Sequence, residues 1–160
     1  QMNWEAVGAV GEILGALTVV VTLVYLAVQV RQNTAAVKAS SHHAITDSFN
    51  AINARIAENP RMARIWRLGQ AGLGTLSEDE TVSFSFMMLA YLRVFETLYY
   101  QRKIGTMEEQ LFVAEEQTLR WAVRSQGFRE FWTANPISLS AEFRDYIGKL
   151  IEETPVAASS

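Results

Sequence analysis

The sequence contains no cysteine, three prolines and two histidines among its 160 residues. Without cysteine, the chain can form neither a disulfide framework nor a thiolate nucleophile or metal ligand. Its formal net charge is only −3, and neither end carries a basic run. The charge pattern of a nucleic-acid-binding protein is therefore missing, and nucleic acid is not an expected partner.

Charged residues are also scarce in one long stretch near the N-terminus. Residues 6–30 carry a single formal charge, Glu12, and an apolar segment of about 25 residues is long enough to cross a bilayer. A secretory signal peptide would have basic residues before the segment and a small-residue cleavage site after it. Since neither is present, we expect a retained transmembrane helix over residues 6–30, preceded by a short external tail over residues 1–5.

Basic residues follow this segment and none precedes it. Arg31 and Lys38 are the first two, and such residues favour the cytoplasmic side of a single span. We therefore expect the N-terminus to lie outside the cell and residues 31–153 to form a cytoplasmic domain.

The small and polar residues of the span share one helical face, because they recur at spacings of three and four. We call this set the small-residue seam: Gly8, Gly11, Gly15, Thr18, Thr22, Tyr25 and Gln29. Gly11 and Gly15 have the GxxxG spacing that lets helix backbones approach closely in lipid. The seam predicts self-association into a homo-oligomer. Packing against a different membrane protein, or no partner at all, are the alternatives.

Glu12 has two possible positions. A carboxylate deep in hydrocarbon costs on the order of 3 kcal/mol or more and tends to mark function. However, residues 13–30 alone supply about 27 Å of helix, so Glu12 can lie at the outer headgroup boundary. Glu12, Tyr25 and Gln29 would line the axis if several copies packed seam inward, as in a narrow cation-tolerant pore. A closed bundle of helices is the favoured alternative to a pore.

The rest of the sequence predicts an all-α fold, in which the transmembrane helix continues into a cytoplasmic bundle of about five helices. The first helix should reach about Asn59, with Asn33-Thr34 as the favoured break because both residues prefer caps. Capping boxes are expected at Ser77 with Glu80 and at Thr106 with Glu109. The remaining signals predict helices over about 60–68, 78–103, 107–126 and 128–135. A loop is expected at Gly69, Gly72 and Gly74, and Ser138 or Ser140 is expected to cap a last helix. The tail over 154–160 is expected to be disordered.

Three arginines recur at every third position: Arg61, Arg64 and Arg67. Such a stripe can contact anionic lipid headgroups. It can equally be solvated, or pair with acidic stretches such as residues 78–80 and 115–116, which is the favoured interpretation.

The sequence predicts neither a catalytic nor a metal site, and no cofactor. His42 and His43 are adjacent, whereas metal ligands on a helix need a spacing of three or four. Arg93 and Glu96 are expected to satisfy each other as a partly buried pair. No nucleophile or phosphate-binding loop accompanies them.

Several segments resemble a widespread group of uncharacterised bacterial single-span membrane proteins. The most specific are NWEAVGAVGEI (residues 3–13) and YLAVQVRQNT (25–34); IWRLG (65–69), ETLYYQ (96–101) and GFREFW (127–132) are similar as well. The resemblance implies a bacterial inner-membrane protein with a helical cytoplasmic domain. It implies no activity and no catalytic residue.

Together these patterns predict a non-enzymatic, homo-oligomeric membrane protein with a scaffolding role or, less favoured, a pore. Its partners would be the lipid bilayer and other copies of itself. The first alternative is an accessory subunit of a larger membrane complex. The second is a membrane-tethered enzyme or ligand-binding bundle with a pocket around Tyr99, Tyr100 and Trp121.

Overall fold

A computed structural model describes residues 3–134 and 138–156 of the chain. Within these residues the protein is helical and contains no strand, which confirms the all-α prediction. The helices are α1 (Trp4–Ala57), α2 (Pro60–Ala71), α3 (Glu78–Lys103), α4 (Glu109–Val123), α5 (Gln126–Ala134) and α6 (Ala141–Glu153), with a 3₁₀ turn at Leu73–Thr75.

Helix α1 is uninterrupted over 54 residues. The predicted break at Asn33-Thr34 is wrong, because the Thr34 hydroxyl donates to the Val30 carbonyl oxygen at 2.9 Å and fits the helix interior. The chain nevertheless divides within α1 into two compact units, the first ending at Ala39 and the second beginning at Ser40. Each unit is described by itself.

The second unit is built on a core to which the middle of α3 contributes a row of buried side chains. Phe84, Met88, Leu92 and Phe95 of α3 are at most 3% exposed. Burying a side chain of this size contributes about 1.5–3 kcal/mol. The residues that surround them come from four other helices: Ile65, Leu119, Val123, Phe128, Phe131, Phe143, Ile147 and Leu150.

Two of the predicted helix starts are confirmed in detail. The Asn59 side chain accepts hydrogen bonds from the backbone N–H groups of Arg61 and Met62, with Pro60 at the first position of α2. Ser77 and Glu80 form the reciprocal capping box that begins α3. These side chains satisfy N–H groups that have no partner within the helix.

The start of α4 differs from the prediction, whereas the start of α6 agrees with it in position but not in capping bond. Thr106 does not cap α4, because its hydroxyl donates to the Gln101 carbonyl oxygen at 3.2 Å, and Glu109 pairs instead with Arg102 at 2.6 Å. Ser140 does precede α6, but its side chain makes no capping bond. Its backbone N–H donates to the Glu96 carboxylate at 2.6 Å, which ties the start of α6 to α3.

Helices α2 and α5 cross at two glycines. A Cβ on Gly127 would lie 1.6 Å from the Gly69 carbonyl oxygen, and one on Gly69 would lie 2.2 Å from the Phe84 ring. The prediction that Gly69 lies in a loop is therefore wrong, since it is buried inside α2. Gly127 lies inside α5, and the chain turns just before it, between Val123 and Gln126.

We expect Gly127→Ala to lower the free energy of unfolding by about 2 kcal/mol or more, because the added methyl group forces two backbones apart. Gly148→Ala is the matched control. Gly148 is also helical, but no neighbouring side chain in the described ranges lies within 4 Å of the position that a Cβ would occupy. Alanine at this position should therefore raise the free energy of unfolding by about 0.5–1 kcal/mol. Urea unfolding in detergent, followed by tryptophan fluorescence, measures both; equal midpoints for wild type and Gly127→Ala would contradict the close crossing.

Candidate functional site

The first unit leaves its apolar side chains without protein cover. The large apolar residues between positions 7 and 30 are 47–67% exposed. In the part of the chain that the structure describes, this is the one helix long and apolar enough to cross a membrane. The first unit by itself therefore does not bury these side chains.

The small-residue seam is open along its length. Apart from the adjacent residues and the local helix backbone, Gly8, Gly11 and Gly15 have no described atom within 4 Å of the position that a Cβ would occupy. A second helix backbone can therefore approach these three positions with no side chain in its way.

The polar side chains of the seam bond within their own helix. The hydroxyl of Thr18 donates to the Leu14 carbonyl oxygen, and that of Thr22 to the Thr18 carbonyl oxygen, both at 2.8 Å. The Gln29 amide donates to the Tyr25 hydroxyl oxygen at 2.8 Å. These groups can therefore face lipid or another helix while keeping hydrogen bonds.

Glu12 lies on α1 between the glycines of the seam and is exposed. It makes neither a hydrogen bond nor an ion pair with any residue that the structure describes. No described residue therefore compensates the charge of Glu12, which leaves its carboxylate open to water, a lipid headgroup or another chain.

The arginine stripe does not act as one surface. Arg64 pairs with Glu80 at 2.5 Å, one of the acidic residues that the sequence offered as a partner. The Ser77 N–H and the Arg64 guanidinium hold the pKa of the Glu80 carboxyl below its ordinary value. Arg61 and Arg67 are exposed and have no ion pair within the described ranges, so only these two are free to contact headgroups.

The other candidate polar residues do not form a site. The rings of His42 and His43 are 6.3 Å apart, and the described residues contain no group of three His, Asp or Glu side chains able to hold a metal ion. The prediction of an Arg93–Glu96 pair is wrong. Arg93 is exposed, and Glu96 instead accepts the Ser140 N–H.

Arg129 is a structural residue that the sequence analysis missed. Its guanidinium donates to the Val123 carbonyl oxygen at 2.9 Å, to that of Ile151 at 3.2 Å and to that of Thr154. One cation therefore satisfies the carbonyl ends of α4 and α6, where the helix dipoles are negative. Thr154 is 4% exposed, although the sequence assigned it to a disordered tail; residues 157–160 lie outside the described range.

Glu130, the next residue, performs the corresponding role for the loop after α2. Its carboxylate accepts the Leu73 N–H and the Gln126 side-chain amide, both at 2.6 Å. The signal in the sequence was an adjacent cation and anion inside the apolar GFREFW segment, since charges among core residues need partners. The charged pair in this segment is therefore explained by its contacts with the ends of three helices and the turn after α2.

Tyr146 belongs to a polar network between α4 and α6. Its hydroxyl donates to the Glu116 carboxylate at 2.5 Å, and Arg120 reaches both Glu116 and Glu153 at 3.4 Å. Burial, and then donation to the carboxylate, raise the pKa of the Tyr146 phenol above its ordinary value.

The pocket expected around Tyr99, Tyr100 and Trp121 is not built as predicted. The Tyr99 ring packs 5.0 Å from that of Tyr146, and Tyr100 is 59% exposed. Trp121 lines a cavity of about 80 Å³ with Trp66 and Tyr91. This volume is well below the roughly 300–1,000 Å³ of ordinary ligand sites.

We expect Tyr146→Phe to reduce the loss of folding stability that occurs when the pH is raised above about 10. The folded state favours the neutral phenol, so its stabilisation is full below the unfolded pKa of about 10 and is lost as pH rises above it. The variant should be about 1 kcal/mol less stable at pH 7 and lose less stability between pH 10 and 12.

Tyr100→Phe is the control, because Tyr100 is exposed. Urea midpoints measured from pH 7 to 12 give both slopes. If the urea midpoints of wild type and Tyr146→Phe fall equally with pH, ionisation of the Tyr146 phenol does not affect folding stability, which would contradict the prediction.

Comparison with known proteins gives this chain no family. No protein-family model matches it, and no curated protein or solved structure is significantly similar to it. Its function is therefore inferred from the uncovered length of α1 and the surfaces of the second unit.

Proposed function

We propose that the chain is a non-enzymatic, homo-oligomeric membrane protein with a scaffolding role. We also propose that it belongs to the bacterial single-span group that it resembles and lies in the inner membrane. The observation that carries the proposal is the first unit, whose apolar side chains are about half exposed over residues 7–30. Leaving so large an apolar surface in water would oppose solubility, whereas a bilayer buries it.

The position in the bilayer follows from length and charge. Residues 13–30 span about 27 Å, close to the thickness of the hydrocarbon core. Glu12 would then lie at the outer headgroup boundary, where its unpaired carboxylate meets water. Arg31 and Lys38 would lie at the cytoplasmic boundary, and the second unit inside the cell.

The seam is the proposed contact between copies. No described side chain covers its glycines. Close backbone packing and hydrogen bonding drive helix association in lipid. The threonine hydroxyls already bond to their own helix. This supports a closed bundle over a water-filled pore, because the hydroxyls do not need water.

An accessory subunit of a larger membrane complex is the alternative. The same open glycines would accept a helix of another protein as readily as a second copy. Subunit composition after purification therefore distinguishes the two, and the following variants test the seam.

We expect Gly11→Leu and Gly15→Leu to reduce the mass of the detergent-solubilised assembly towards that of one chain, since leucine would hold the helices apart. Ala9→Leu is the matched control. It adds the same side chain to the same helix, but 100° per residue places it on the far side from the seam. Light scattering coupled to size exclusion measures the mass.

An unchanged mass for both glycine variants would contradict self-association through the seam. Dissociation of the control as well would mean that bulk anywhere on the helix is disruptive. Purification in stoichiometric complex with a second protein would favour the accessory-subunit alternative.

Because the chain contains no cysteine, single cysteines can report its orientation. Asn3 and Gln117 are both exposed. We expect Asn3→Cys to react with a membrane-impermeant maleimide in intact spheroplasts, and Gln117→Cys to react only after lysis. The opposite pattern would reverse the orientation, and recovery of both variants in the soluble fraction would contradict insertion.

A further inference from the structure

The second unit contains an apolar groove that the core does not fill. It lies between the end of α1, the start of α2 and α3, and its volume is about 530 Å³. Its apolar walls are Ile52, Ile56, Met62, Met87 and Ala90. The groove is large enough to accept bulky apolar side chains.

Phe86 stands at this groove and is 69% exposed, more than any other large apolar side chain described. Val82, one turn earlier on α3, is 55% exposed. Within the described residues, this face of α3 is therefore uncovered. An exposed apolar projection beside an apolar groove is typical of a protein interface.

The edge of the groove carries one charge of each sign. Arg55 and Glu58 both line it and are exposed. Neither makes an ion pair with any residue in the described ranges. This surface therefore combines the exposed Phe86 ring and the groove with one cation, Arg55, and one anion, Glu58, both unpaired among the described residues.

This combination is self-complementary, which is the requirement of a two-fold contact between identical chains. We propose that the groove binds a second copy of this chain, with Phe86 of each copy inserted into the groove of the other and Arg55 paired with Glu58 across the contact. The inference rests on the proposed homo-oligomer and adds an interface outside the small-residue seam.

Cross-linking tests the contact in the full-length protein. A tagged Phe86→Cys chain and an untagged Ile56→Cys chain are co-expressed, and their membranes are oxidised. We expect a disulfide-linked species that contains both chains. A tagged Phe86→Cys chain with an untagged Gln117→Cys chain is the control, since Gln117 is exposed on α4, outside the groove.

Charge exchange tests the pairing independently. Arg55→Glu should reduce the cross-linked yield by about ten-fold, because it places like charges opposite each other. Adding Glu58→Arg restores opposite charges and should restore the yield. A yield that stays low in the double variant would contradict the pairing of Arg55 with Glu58.

The seam variants separate this inference from the proposed function. If Gly11→Leu lowers the mass of the assembly but the groove cysteines never exceed their control, the oligomer stands and the groove contact is wrong. If neither measurement detects self-association, both proposals are wrong. Cross-linking of Phe86→Cys to another protein alone would assign the groove to a foreign partner and overturn the inference.

Discussion

The first unit does not bury its own apolar side chains over residues 7–30. They are 47–67% exposed, and water is a poor environment for a continuous surface of this kind. Every backbone amide in this stretch can bond within the helix, which is the condition for crossing hydrocarbon. The seam meets the same condition, because the side chains of Thr18, Thr22 and Gln29 donate within their own helix.

The second unit is held together by specific polar and backbone contacts in addition to its apolar core. Arg129 binds the carbonyl ends of two helices, and Glu130 binds the turn after α2. Gly127 lets α5 approach the backbone of α2 directly. These three residues lie in one short segment, so a single turn of α5 contacts four neighbouring elements: α2, the turn after it, α4 and α6. The face of α3 that carries Phe86 is different, because its apolar side chains are exposed rather than packed.

The sequence predicts the helices better than the contacts between them. Local signals predict the start of α2 at Pro60 and the Ser77–Glu80 capping box, whereas the second predicted capping box, at Thr106, does not form. Pairings between distant residues are not local. Glu96 bonds Ser140 rather than Arg93, and Gly69 is buried because Gly127 lies against it, which no pattern within either segment shows. The seam is predicted because it depends on spacing within one helix; the groove was missed because three separate segments form it.

We propose that this chain assembles with itself in a membrane. The most direct test is the mass and subunit composition of the wild-type protein extracted from membranes in mild detergent. We expect a membrane-bound species that contains no other polypeptide and whose protein mass is at least twice, and a whole multiple of, the 17.9 kDa of one chain. A single chain per micelle, a stoichiometric foreign subunit, or recovery of the protein in the soluble fraction would contradict it.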